Sequence, residues 1–251
     1  MGGTARRQEA EGLREYFDVQ LRFAQVLAAR TSRPLAETCL AVTNLHRRLG
    51  LGRAEADAPS AGWACYAEGL EARGSGAERL DWTVAFFASV PPEPGASLRF
   101  GCFSYELQDE DRVVRIHFSN RDADEDSGPL AGAKADRRRA ELREMFSHVR
   151  VNHPQAQRVR GGSWLYNLEA YRRLFPPEYG GSRREPERVR LDGTSSWGQV
   201  LDFRGAVKPA VRQALLANAA TVDPAAPWRA FPLRALVVES AIGPFHQRYG
   251  G

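Results

Sequence analysis

The chain has 251 residues, of which 43% are hydrophobic, so it can bury a core without help from disulfides or metals. Its 35 basic and 31 acidic residues give a formal charge of only +4, which argues against a dedicated nucleic-acid binder. No stretch approaches the roughly 18 consecutive apolar residues of a membrane span. We therefore expect a soluble globular protein that binds neither specific nucleic acids nor membranes.

The cysteines and histidines show no metal-binding pattern. The three cysteines, Cys39, Cys65 and Cys102, are widely spaced among apolar neighbours, as expected of reduced thiols in a core. His148 and His153 are close in sequence, but a spacing of five does not place both on one face of a helix. The N-terminus lacks the apolar segment of a signal peptide. We predict a cytoplasmic protein without a metal site.

The first part of the chain, residues 1–95, is predicted to be a helical region. Apolar residues recur at helical spacing over residues 12–30 and again over residues 35–49. Shorter apolar helices are predicted over residues 63–70 and 81–90, and the prolines that follow end this run.

A β-hairpin is predicted next. The segments SLRFGCFSYEL and RVVRIHFS are rich in β-branched and aromatic residues and flank the polar turn QDED. Alternation along the second strand places Ile116 on one face and His117, with Arg115, on the other and less apolar face. Tyr105 is expected near His117 across the hairpin.

The rest of the chain mixes helices with further short segments. Residues 136–151 predict a helix on which residues 137–139, three arginines, form a solvated face. Ser163 is a candidate N-cap for a helix that carries Trp164 and Phe175 on its apolar side. We predict that residues 96–251 form a mixed α/β region that packs as one unit with the helical region. The expected fold class is α+β, a mixed sheet flanked by helices.

A candidate phosphate-binding motif lies at residues 157–163, QRVRGGS. It approximates the Arg/Gln-x-x-Gly-x-Gly/Ala loop, which cradles a pyrophosphate on backbone N–H groups at the start of a helix. Arg158 and Arg160 would add positive charge, and Gly161 and Gly162 would let the backbone approach an anion, with Ser163 at the last motif position. The alternative is a plain turn followed by a helix cap.

His117 is the best acid–base candidate, because the pKa of an imidazole lies near neutrality, and Glu106 is a second candidate base. A histidine with a purely structural role is the alternative. Ser104 and Ser163 are candidate nucleophiles for a serine-dependent hydrolase, although neither lies in Gly-x-Ser-x-Gly. A further alternative is a non-catalytic interaction or scaffold protein, whose exposed aromatic and arginine residues bind a protein partner or a second copy.

The order of several short motifs resembles the C-terminal region of bacterial GNAT-like acyltransferases. They are Ile116-His117 in a strand, Gly128-Pro129-Leu130 in a turn, then an arginine-rich helix, Ser163-Trp164-Leu165 and Phe175-Pro176. The chain departs from the family pattern at Tyr166, where the family has leucine, and after Ser182, where Asn-Ile is replaced by Arg183-Arg184. Over its whole length the chain is similar to a group of uncharacterised bacterial proteins that share FGCFSY and SWLY…YRRLFPP.

The resemblance implies a GNAT-like mixed sheet with helices on both faces and an acyl-CoA cosubstrate as the acyl donor. The small-molecule ligand would then be held at the phosphate motif described above. His117 or Glu106 would deprotonate the acceptor amine, and a backbone N–H would meet the thioester oxyanion.

Overall fold

The computed structural model describes residues 2–51, 60–91, 98–122 and 126–250. The chain forms two compact units, each built from two separate stretches. The helical unit comprises Met1–Pro94 and Arg188–Arg234, and the sheet unit comprises Gly95–Glu187 and Ala235–Gly251. The region predicted as residues 96–251 thus contributes residues 188–234 to the helical unit.

The elements follow one another in this order. The first six helices are α1 (Gly2–Gly12), α2 (Arg14–Thr31), α3 (Leu35–Val42), α4 (Leu45–Arg48), α5 (Ala61–Glu71) and α6 (Gly76–Ser89). Then come β1 (Arg99–Phe100), β2 (Phe103–Gln108), β3 (Val113–Phe118), α7 (Ala135–Asn152), β4 (Arg158–Ser163), α8 (Glu169–Arg172) and α9 (Pro177–Gly181). The last are α10 (Thr194–Trp197), α11 (Pro209–Ala219), β5 (Leu236–Ala241) and α12 (Gly243–Tyr249). Short 3₁₀ helices span Gly132–Lys134, Trp164–Asn167 and Pro227–Ala230.

The helical unit confirms the predicted N-terminal helices, which are α2, α5 and α6. The helix predicted over residues 35–49 is interrupted, because Thr43 adopts an extended backbone between α3 and α4. The next residue, Asn44, accepts a hydrogen bond from the Tyr16 hydroxyl at 3.2 Å inside the core. Trp197 is fully buried in the same unit and donates its indole N–H to the Val42 carbonyl at 3.1 Å.

The sheet unit is built on a mixed sheet whose described strands run in the order β1-β2-β3-β4-β5. Strands β3 and β4 are parallel, and α7 connects them, while the other neighbours are antiparallel. The predicted hairpin is confirmed as β2 and β3. The fold class is therefore α+β, as predicted: a mixed sheet with flanking helices and an N-terminal helical region.

The two faces of this sheet differ in character. On the core face, apolar residues such as Ile116, Val159 and Val238 belong to a buried cluster with Leu142 and Phe146 of α7. The opposite face carries charged residues at the alternate positions of the strands, and we call it the polar face. The alternation predicted for Ile116 and His117 is confirmed.

Arg138 contradicts the prediction that residues 137–139 form a solvated face. Its side chain is buried, and its Nη2 lies 3.0 Å from Asp122 Oδ1 and 3.0 Å from Glu141 Oε1. The other Glu141 oxygen accepts the backbone N–H of Cys102 at 3.1 Å. A buried charge is tolerated only with partners, and here Asp122 and Glu141 supply them. Through Glu141 the network also joins α7 to Cys102, the residue before β2.

Candidate functional site

The phosphate motif lies in a strand, so the prediction of a turn at the start of a helix was wrong. Gly161, Gly162 and Ser163 pair with Val238, Val237 and Leu236 of β5. A 3₁₀ helix follows, and the predicted long helix is replaced by that turn and the four-residue α8. Long-range pairing with β5 has overridden the local signal of a serine before an apolar run.

Gly161 has a structural role on the core face. A Cβ atom at this position would collide with the hydroxyls of Tyr166 and Tyr179. These two hydroxyls are buried and share a hydrogen bond of 2.9 Å. Burial raises the pKa of both phenols well above the usual value, so they stay neutral. Only glycine leaves room for this tyrosine pair beneath β4.

Ser163 also has a local structural role. It shares the core-face side of β4 with Gly161, and its hydroxyl accepts the backbone N–H of Leu165 at 3.1 Å. That bond caps the following 3₁₀ helix. Ser163 therefore does not lie on the face that carries His117. Trp164, which follows it, is only partly buried, whereas Tyr166 in the same 3₁₀ helix is fully buried.

The polar face brings the other motif residues beside a row of charges. Glu106, Arg115, Arg160 and Glu239 face one another across β2, β3, β4 and β5. Arg115 Nη1 lies 3.2 Å from Glu106 Oε1, and Arg160 Nε lies 2.6 Å from Glu239 Oε2. The hydrogen bond to Glu239 raises the pKa of Arg160. Two arginines therefore lie side by side at the centre of the row, and each forms an ion pair with the glutamate on its outer side.

Arg158, on the same face of β4 as Arg160, forms a second ion pair with Glu239. Its Nη1 lies 2.8 Å from Glu239 Oε1, so Glu239 binds both motif arginines. Asp109, in the hairpin turn, lies 3.7 Å from Arg158 and 3.5 Å from Arg160. Asp109, Glu110 and Asp111 all have positive φ, a left-handed conformation that non-glycine residues adopt only when the fold enforces it.

His117 and Glu106, the two predicted catalytic residues, lie together on the polar face. His117 Nε2 is 3.4 Å from Glu106 Oε2, while Glu106 Oε1 accepts the Gln108 amide at 3.0 Å. The His117 side chain is 42% exposed. Ser104 sits directly opposite His117 in the hairpin. Tyr105 instead projects from the other face and shares a 3.0 Å hydrogen bond with His148 Nδ1, so its expected place beside His117 was wrong.

The pairing of the two parallel strands ends next to His117. Their ladder ends at Arg115 and Arg160, although β3 continues to Phe118 and β4 to Ser163. We call this feature the strand gap; it lies between residues 116–118 and residues 161–163.

The backbone of Gly162 is directed toward the strand gap. Val237, its partner on β5, exchanges two hydrogen bonds of 2.9 Å with Arg184 on the far side of β5. In an antiparallel ladder, two facing residues either bond to each other or both direct their N–H and C=O groups away from each other. Val237 bonds to Arg184, so it does not bond to Gly162. The N–H and C=O of Gly162 therefore point away from β5 and toward β3.

An open groove runs along the β4–β5 side of the polar face. It has a volume of about 610 Å³ and is lined by Arg158, Arg160 and Arg184 together with Ser182 and Glu239, and we call it the arginine groove. This size suits a small organic ligand. Three arginines against one lining glutamate make the groove positive on balance.

No family model, curated protein or solved structure matches this chain. The resemblance to GNAT-like acyltransferases therefore stays a prediction. Within the described ranges, no three or more His, Cys, Asp or Glu side chains are grouped so that they could hold a metal ion. Among those same residues, every helix is too short or too polar to cross a membrane.

Three residues of the site did not emerge from the sequence. Glu239 and Arg184 depend on β5, for which no strand is predicted, and Asp109 depends on the shape of the hairpin turn. Arg115 was noticed only as a neighbour of His117. A β-branched run ending in a glutamate, LVVE, was the one signal that could have indicated Glu239.

Proposed function

We propose that the protein transfers an acyl group from an acyl-CoA, or a related phosphate-bearing thioester, to an amine at the polar face of the sheet. The observation that carries the proposal is the contact of 3.4 Å between Glu106 and His117 beside the strand gap. The three free cysteines fit a reducing compartment, so we place this activity in the cytoplasm.

His117 would act as the general base. A carboxylate only accepts hydrogen bonds, so in the neutral ring Glu106 favours the proton on Nε2 and leaves the lone pair on Nδ1. Nδ1 would take the proton of the attacking amine while the new C–N bond forms. Glu106 would then stabilise the resulting imidazolium, and the thiolate would leave with the electrons of the broken C–S bond.

The strand gap would stabilise the thioester oxygen as its negative charge develops. The Gly162 N–H points toward the gap, and glycine offers no side chain to keep a substrate away from that N–H. Gly162 and His117 both lie two residues beyond the last ladder pair, so the oxyanion donor and the base would approach the same carbonyl from opposite strands.

The arginine groove would bind the phosphates of the donor. Arg160 already contacts Glu239 and Asp109, but a guanidinium has five N–H donors, so further acceptors can bind without breaking these pairs. Arg158 and Arg160 lie on β4 ahead of Gly162, about 7 to 14 Å from it at the rise of a strand. The phosphates and the thioester would therefore follow the direction of β4.

The decisive experiment is a calorimetric titration with coenzyme A and acetyl-CoA. The double variant Arg158→Gln/Arg160→Gln should bind more weakly by about 2–4 kcal/mol, the scale of one or two charge-assisted hydrogen bonds. Arg139→Gln, which changes a partly exposed arginine of α7, is the matched control and should bind like the wild type. Absence of binding at millimolar coenzyme A would refute the proposal.

An assay of turnover tests the role of His117 as the general base separately from ligand binding. Release of the free thiol from acetyl-CoA, followed with a panel of primary amines, should fall by about 10²- to 10⁴-fold in His117→Ala. Coenzyme A affinity should be unchanged in that variant, because His117 lies outside the arginine groove. An unchanged rate would remove His117 from the mechanism.

A second candidate function is supported by the position of Ser104. Ser104 faces His117 across the hairpin, and Glu106 contacts the same histidine, so serine, histidine and carboxylate share one face. In a hydrolase Ser104 would be the nucleophile. Ser104→Ala should abolish cleavage of p-nitrophenyl acetate and labelling by a fluorophosphonate if this is correct, whereas acyl transfer to an amine should survive.

A further inference from the structure

A second cleft, in the helical unit, is independent of the acyl-transfer proposal. It has a volume of about 360 Å³ and lies between α2 and the first turns of α3 and α6. Leu21, Leu35 and Leu80 supply an apolar wall, and the charged side chains Asp18, Arg22 and Arg79 also line it. A cleft of this size with a few charged groups on apolar walls is typical of small-molecule sites.

The charges of the cleft do not balance. Asp18 accepts the Nε–H of Arg22 at 2.8 Å and also accepts Arg212 at 2.9 Å, so Arg22 has a counter-ion. Arg79 differs: its Nε is buried, and no hydrogen-bond acceptor for that atom is found among the described residues. Nor does any carboxylate in that part of the chain form an ion pair with Arg79.

Cys39, which interacts electrostatically with Arg79, does not supply the missing charge. Burial raises the pKa of its thiol, so the sulfur stays protonated and neutral. Glu71, on α5, already accepts the backbone N–H of Ala36 at 2.8 Å. Arg79 therefore contributes one positive charge that no described carboxylate pairs with, and a cation beside an apolar wall favours an anionic ligand.

We propose that this cleft binds an aliphatic carboxylate, with the carboxylate on Arg79 and the alkyl chain against the three leucines. A carboxylate matches the planar guanidinium with two parallel hydrogen bonds. It also carries a single negative charge, which equals the one unmatched positive charge. A phosphate dianion would exceed that charge, so Asp18 would repel it more strongly than a carboxylate.

The test is a titration of the whole protein with octanoate, octanol and octylammonium. Octanoate should bind saturably and octylammonium should not, because their alkyl chains are equal and their charges are opposite. Octanol should bind more weakly than octanoate. Arg79→Gln should weaken octanoate binding by about tenfold or more, as expected for the loss of a charge-assisted pair. Arg33→Gln is the control: it changes an exposed arginine outside the cleft and should leave the affinity unchanged.

A second variant keeps the test decisive if Arg79→Gln does not fold. Ala77→Glu adds a negative charge at an exposed position on the edge of the cleft and leaves Arg79 in place. A glutamate in the first turn of a helix does not destabilise it, so the variant should fold and lose octanoate binding. The proposal is overturned if the wild type shows no saturable octanoate binding, if octanol binds equally well, or if both variants bind like the wild type.

Discussion

The two faces of β4 differ in what constrains their residues, although these residues alternate along one short strand. Val159, Gly161 and Ser163 belong to the core-face side, where the structural constraint is the space beneath the sheet. Arg158, Arg160 and Gly162 belong to the polar face, where charges and backbone groups line the groove and the strand gap. The comparison shows that a motif contiguous in sequence can be divided by the two-residue period of a strand.

The sharpest test of this division is the pair of adjacent glycines. Gly161→Ala should reduce the free energy of unfolding by about 3 kcal/mol, because the added methyl group meets the Tyr166 and Tyr179 hydroxyls. At Gly162 a Cβ would lie 3.9 Å from Val237 Cγ1, an ordinary contact, so Gly162→Ala should change stability by less than about 1 kcal/mol. Urea unfolding of both variants measures the difference. Equal losses would contradict the assignment of the two faces.

The tyrosine pair beneath β4 gives the next largest effect. Tyr166→Phe leaves the buried Tyr179 hydroxyl without its 2.9 Å partner and should cost about 1–2 kcal/mol at neutral pH. The same tyrosines set an alkaline limit, because burial raises the pKa of Tyr166, Tyr171 and Tyr179 well above 10. Above pH 10 the unfolded chain releases these protons and the folded chain keeps them, so stability falls as pH rises.

Each of these tyrosines should contribute a loss of about 1.4 kcal/mol per pH unit above its unfolded pKa. The free energy of unfolding of Tyr166→Phe should therefore fall less steeply with rising pH than that of the wild type, although the variant is less stable at neutral pH. Chemical unfolding between pH 9 and pH 11 measures both slopes. Parallel slopes would show that Tyr166 ionises normally in the folded state.

The smallest effect on stability is expected on the polar face. Arg160→Gln removes a side chain that is 32% exposed from its ion pair with Glu239, and pairs of this kind contribute below about 1 kcal/mol. The variant should melt close to the wild type. A loss as large as that of Gly161→Ala would mean that the charged row supports the fold rather than a ligand.

The sequence predicted the elements whose signals are local. Helices α2, α5, α6 and α7 and the β2–β3 hairpin follow from periodicity within one segment, and the alternation along β3 put His117 and Arg115 on one face. Strand β4 was mistaken for a helix start because Ser163 before an apolar run imitates an N-cap. Its true partner, β5, lies more than 70 residues further on, where no local pattern can indicate the pairing.

The candidate site was predictable to a similar extent. His117 and Glu106 were chosen for their chemistry and lie in contact, since the hairpin between them is short. Arg158 and Arg160 were predicted to lie in a phosphate-binding loop. They lie instead in strand β4, which places both in one groove. Glu239, which pairs with both, depends on the register of β5.

The division of the chain into interleaved units determines when each can fold during synthesis. The helical unit needs residues up to Arg234, and the sheet unit needs β5, which ends at Ala241. A ribosome therefore makes β1 to β4 well before their edge partner exists, and the N-terminal helices wait for α10 and α11. Until then the outer edge of β4 is exposed as an unpaired strand, a surface that invites association with other chains. Protection of the nascent chain by a chaperone would be needed for longer than in a protein whose domains are complete in sequence order.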